Sequence, residues 1–134
     1  MVMKKDCIFC KIIKGEIPSH KIYEDKSFLV FLDIRPVNPG HLLIVPKKHI
    51  TWMQEADNKT IKEIFCLAKK MMLLLKKKLK CDFVSVSVVG NEVPHFHVHL
   101  IPRYNKKDKF KEYPSKEYKG KEAEKIVALL KSKK

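Results

Sequence analysis

The chain has 134 residues, enough for one domain that buries a core without staples and too few for two domains of typical size. It holds no run of about 18 apolar residues, and Asp6 breaks the lysine-bearing start "MVMKKDCIFC", so neither a membrane helix nor a secretory leader is expected and the cytosol is the expected compartment. The net charge of +14 comes almost wholly from lysine, since Arg35 and Arg103 are the only arginines; such a field favours anionic ligands without proving a nucleic-acid partner.

In chain order, a short helix near Cys10 should stop by Gly15, ahead of Pro18. "HKIYED" and "FLVFLD" read as two strands around a charged turn at Asp25–Lys26. "RPVNPG" is a loop, with two prolines, an asparagine and a glycine, and "HLLIVP" is a third strand closed by Pro46. The period then changes. Ile61, Ile64, Phe65, Ala68, Met71, Met72, Leu75 and Leu79 recur at intervals of three and four, one face of a long helix whose wet side carries Lys69, Lys70, Lys76, Lys77 and Lys78. Thr60 and Glu63 offer a capping box, with Asp57 as a competing start. "DFVSVSVVG" alternates as a fourth strand, Gly90 and Asn91 turn the chain, and "HFHVHLIPRY" returns as a fifth. Residues 105–119 are polar and lysine-rich with Phe110, Tyr113 and Tyr118 among them, a composition that can stack bases but more often makes a surface loop. A last helix, roughly Lys121 to Lys131, offers Ala123, Ile126, Val127 and Leu130 for docking. The expected fold is α+β: a single domain over 1–134, with a five-stranded antiparallel sheet, one long helix and a short C-terminal helix.

The chemistry concentrates in "PHFHVHLIPRY". On a strand, residues two apart share a face, so His95, His97 and His99 should line one side while Phe96, Val98 and Leu100 fill the core behind. Neighbouring members stand about 6.6 Å apart at the backbone, so two could grip one ion or one phosphate, whereas all three around one ion is harder. Imidazoles that titrate near cellular pH can act as nucleophile, base or metal ligand, and beside a basic surface they suit attack on a phosphoryl group. Cys7-x-x-Cys10 reads as a metal or redox pair; with His49, His95 or His41 it could build a tetrahedral zinc site. His20 belongs to no motif and should be exposed, and Cys66 and Cys81 read as bystanders.

Taken together, "CIFCKIIKGEIP", "FLDIRPVNPGHLLIVPKKHI" and "VPHFHVHLIPR", in this order over roughly residues 6 to 104, make a chain that resembles the histidine-triad (HIT) family of nucleotide hydrolases and transferases. It is most similar to the Hint-like and bacterial branch with a zinc-binding N-terminus. The resemblance implies a HIT-like fold and a homodimer. It implies cleavage at the α-phosphate of a purine nucleotide, a phosphoramidate such as adenylyl-lysine or a dinucleoside polyphosphate, through a nucleotidyl-histidine intermediate. His97 would be the nucleophile, His99 would contact phosphate oxygens, and His41 would back the triad. Asp33 would hold the ribose hydroxyls, and Phe31, Ile34 and Ile17 would wall the base. A structural zinc would sit on Cys7, Cys10, His49 and His95. The departure lies just before the triad, where "VVGNEVPH" is several residues shorter than the relatives' Gly- and Gln-containing loop; Asn91 or Ser87 would stand in for its phosphate-positioning groups, and Glu92 falls where a small polar residue is usual. The competing reading is a zinc-stabilised nucleotide or nucleic-acid binding module without turnover.

Overall fold

The computed structural model describes residue 4 and residues 6–90, 92–104 and 117–133. Within them β1 (Lys21–Glu24), β2 (Phe28–Leu32), β3 (Leu42–Pro46), β4 (Phe83–Ser87) and β5 (Val98–Arg103) form one antiparallel sheet in the order β1-β2-β3-β5-β4. Three helices accompany it: α1 (Ile8–Lys14), α2 (Asn58–Leu79) and α3 (Glu122–Lys131). The α+β class and the five antiparallel strands are as the sequence predicts.

Both faces of this sheet are covered, which explains why β2 and β3 read as unbroken apolar runs with every residue buried. Phe28, Val30, Leu32, Leu42 and Ile44 point to the side where α2 and α3 pack. Leu29, Phe31, Leu43 and Val45 point the other way and meet Phe9, Cys10 and Ile12 of α1. β5 obeys the same alternation: Val98 and Leu100 are fully buried on the α2 side. His99 pairs with Leu43 on one flank and Ser87 on the other, which puts its ring on the α1 side.

The regular strand starts later than "HFHVHLIPRY" suggests, at Val98 and not at His95. The preceding amides are used elsewhere: His95 N–H donates to Val93 O at 2.8 Å and Phe96 N–H to Ile50 O at 2.6 Å. That segment leaves the ladder yet keeps Phe96 in the core with Val98 and Leu100. β4 likewise stops at Ser87, short of Gly90.

Helix ends follow local chemistry. α1 begins at Ile8, two residues before Cys10, because Cys7 caps it by accepting the Cys10 N–H at 3.3 Å. It ends at Gly15, whose φ of +83° suits a residue without a side chain. α2 starts at the competing signal and not at the Thr60/Glu63 box, for the Asp57 carboxylate accepts the Thr60 N–H at 2.8 Å. Starting there adds three residues to the helix. Its buried face is Ile64, Leu67, Ala68, Met71 and Leu75. α3 buries Ala123, Ile126 and Leu130.

The turn leading into β3 is tightly constrained. Gly40 has a φ of +93°, and a Cβ there would run into Leu79 and press on Pro102. Its N–H donates to the Tyr118 hydroxyl at 3.1 Å, tying the C-terminal segment to the residue just before His41. Of the aromatics in the lysine-rich stretch, Phe110 and Tyr113 lie outside the described residues. His20 is half-buried, not exposed, and its carbonyl accepts the Leu32 N–H at 3.0 Å.

Candidate active site and metal centre

A cavity of about 320 Å³ opens on the α1 side of the sheet. It brings together seven of the residues singled out from sequence: Ile17, Phe31, Asp33, Ile34, His41, His97 and His99. Phe31 is buried in the wall, whereas Ile34 is 67% exposed and stands at the rim. Asn91 lies outside the described residues. Sequence reasoning misses the opposite wall, Ile8, Phe9 and Ile12 of α1 with Val93. Phe9 meets the His97 ring edge-to-face at 5.0 Å and Phe31 at 5.7 Å. The signal is present as apolar spacing within "CIFCKII", but where that face docks is a tertiary fact.

The protons on the histidines follow from their partners. A carbonyl oxygen can only accept, so the 2.7 Å contact between His97 Nδ1 and His95 O fixes the proton on Nδ1 and leaves the lone pair on Nε2. Val37 N–H donates to His41 Nδ1 at 3.1 Å, so neutral His41 carries its proton on Nε2. That Nε2–H donates to His99 Nδ1 at 2.9 Å, which in turn leaves His99 with an Nε2–H. The cavity thus holds, on rings 4.8 Å apart, a nitrogen lone pair on His97 and an N–H donor on His99.

Burial keeps these rings neutral. It pulls His41 down to about 3, with the charges of His99, Arg103 and His97 adding to the effect, and His99 down to about 4, with His97 adding. His97 is lowered too by burial, against its bond to the His95 carbonyl and the charge of Glu92. Burial pushes the Asp33 carboxyl up, and Glu92 reinforces this while the Arg35 N–H and charge oppose it. Asp33 Oδ1 accepts that N–H at 2.9 Å, and Oδ2 stands 3.7 Å from His41 Nε2.

Asp33, His41 and His99 have the spacing of a metal site. The proton placement argues against one: a metal on His41 Nε2 would drive the proton to Nδ1, against the Val37 N–H that points at it.

The second group is different. Cys7, Cys10 and His95 are buried, His49 closes the group from the edge, and the four donor atoms lie within 4.8 Å of one another. His95 Nε2–H donates to Pro46 O at 2.9 Å, so its Nδ1 lone pair faces Cys7 Sγ at 3.2 Å and Cys10 Sγ at 3.6 Å. His49 Nδ1 is 3.3 Å from Cys10 Sγ. A tetrahedral zinc with two sulfur and two nitrogen ligands separates its ligands by about 3.3–3.8 Å, so the residues fit such an ion. The two sulfurs also accept backbone N–H groups, Cys7 from Cys10 and Cys10 from Lys4 at 3.5 Å, as metal thiolates do. Burial pushes the Cys10 thiol up, so a thiolate there calls for a cation.

A family model described as the HIT domain matches residues 14–106. The chain belongs to the HIT family. An uncharacterized HIT-like protein of Methanocaldococcus jannaschii is 47% identical over 103 residues, 73% of this chain and 79% of that one. A Saccharomyces cerevisiae relative named adenosine 5′-monophosphoramidase is 41% identical over 106 residues, 75% of this chain and 65% of its own. Among solved structures, a zinc-bound histidine triad family protein from Mycobacterium smegmatis superposes with a TM-score of 0.80 at 29% identity, covering 94% of this chain and 91% of that one. This HIT chain therefore shares its fold with a zinc-bearing member. No helix among its described residues is long and apolar enough to cross a membrane.

Proposed function

We propose that this HIT protein cleaves a phosphorus bond at the α-phosphate of a purine nucleotide by transferring the nucleotidyl group to His97. The observation that carries this reading is the His97 ring, held through Nδ1–H by the His95 carbonyl with its Nε2 lone pair in a cavity shared with His99. In the first step a P–Nε2 bond forms and the bond to the leaving group breaks, the leaving group taking up a proton. In the second, water displaces Nε2 and releases the nucleoside monophosphate and a proton. As Nε2 bonds to phosphorus the ring becomes cationic, and the His95 carbonyl stabilises that charge through the Nδ1–H bond. His99 Nε2–H, kept in that tautomer by His41, donates to a non-bridging oxygen. Asp33 retains lone pairs for ribose hydroxyls, and Ile17 and Phe31 form an apolar wall for a flat base. The name of the yeast relative supports a phosphoramidate as the substrate.

Zinc would be held by Cys7, Cys10, His49 and His95. When bound, it supplies structural cross-linking and no Lewis-acid chemistry, because four protein ligands leave no open position. The free cysteines fit a reducing compartment such as the cytosol. A single domain over the whole chain and a homodimer complete the proposal; β4 is the last strand of the sheet among the described residues, with Val86 and Val88 exposed beside it.

The test is to quench the protein at short times with radiolabelled adenosine phosphoramidate and look for acid-labile label on His97. His97→Ala should abolish label and monophosphate release while nucleotide still binds. Tight binding with no label on wild type would leave the non-catalytic nucleotide or nucleic-acid module, which the net charge of +14 supports.

A further inference from the structure

Two carboxylates line the cavity from different sides. Asp33 follows β2 and is flanked on its own segment by Arg35, which lines the same wall. Glu92 comes from the connection between β4 and β5, together with Val89 and Val93, and is exposed to solvent. Glu92 lines the same cavity as His97 and His99, and its field reaches Asp33, as does that of Arg35 with the opposite sign. His41 and His99 are kept neutral by burial, and the buried Arg103 adds a cation whose charge lowers His41. A solvent-exposed carboxylate, Glu92, thus stands in the nucleophile's cavity in a protein whose net charge is +14.

With the ribose on Asp33 and the base against Ile17 and Phe31, the part of the lining left for a leaving group includes Val89, Glu92 and Val93. A polyphosphate leaving group would bring further negative charge to Glu92; an alkylammonium would bring the opposite sign. We propose that Glu92 selects the leaving group by charge, favouring nucleoside phosphoramidates whose amine carries a second, cationic group and disfavouring polyphosphate chains. This inference rests on the reading of the cavity as a nucleotidyl-transfer site. The lysine-rich exterior gathers anionic nucleotides, and the exposed carboxylate of Glu92 at the cavity sorts them by what is attached to the α-phosphorus.

The experiment compares kcat/KM for three substrates: adenosine 5′-phosphoramidate carrying an aminobutyl group, its uncharged pentyl isostere, and diadenosine triphosphate. Wild type, Glu92→Gln and Glu92→Lys are measured at low and high salt. Wild type should favour aminobutyl over pentyl by roughly three- to tenfold, the size of one charge pair at a partly solvated rim. The ratio should shrink with salt, fall towards one in Glu92→Gln, and reverse in Glu92→Lys with a gain on the polyphosphate. The same ratio in all three proteins would overturn charge selection while leaving the transfer reaction standing. No turnover of any substrate by folded wild type would overturn the transfer reading and the selection with it.

Discussion

His41 never needs to touch substrate to matter. It is 1% exposed, accepts a backbone N–H on one nitrogen and donates to His99 with the other, so its protonation state decides which nitrogen of His99 carries a proton. The folded chain holds His41 at about 3 and His99 at about 4, against an ordinary value of 6.5. Below pH 6.5 the unfolded chain therefore binds protons that the folded chain refuses. Stability from these two residues is fully present above that pH and is lost as the pH falls towards 4 and then 3. Urea midpoints measured from pH 7.5 down to 4 should fall steeply in wild type, and less steeply in His41→Asn at the same metal loading. Equal slopes in the two proteins would mean that His41 is not the residue being titrated.

At the scale of elements, α1 does two things with seven residues. Its Cys7 cap and Cys10 belong to the four-donor group, while Ile8, Phe9 and Ile12 build a wall of the cavity. Metal content and substrate affinity should therefore change together. Protein purified without added metal should carry about one zinc per chain, and Cys7→Ser with Cys10→Ser should remove it, lower Tm and raise KM. An ion whose Kd lies about a hundredfold below its free concentration contributes about 2.7 kcal/mol to stability; unchanged Tm and KM on metal loss would make the ligands inert. Such double use also explains what the sequence can and cannot disclose. The alternation of His95, His97 and His99 survives an irregular stretch of backbone because side chains two apart keep to one face in any extended segment. Cys7 and Cys10 announce themselves by local spacing. Their partners lie 39 and 85 residues from Cys10, and only the family resemblance singles out His49 and His95 from His41. Phe9 and Ile12 escape a sequence reading because an apolar residue on a short helix says nothing about which cavity it will wall. Asp57 and Thr60 are both legible as caps, and the longer helix wins.

For the whole molecule, two central strands buried on both faces leave the outer strands to meet the surroundings. β4 is the last strand of the sheet among the described residues, and beside it Val86 is 41% exposed, the kind of edge that native chains cover or charge. Sedimentation at micromolar concentration should find a dimer in wild type, and Val86→Lys should shift it to monomer. A wild-type monomer at tens of micromolar would show that this edge does not hold a second copy of the chain. The tie between Tyr118 and Gly40 has a different reach. The donor is a single peptide proton one residue before His41, and its acceptor hangs on the segment that leads into α3. Were α3 to undock, that proton would be among the first released to solvent, while those of β3 next to it stayed locked. Deuterium uptake at Gly40 is thus a one-atom clock for how often the chain's tail lets go of the site, readable in the resting protein with no substrate present.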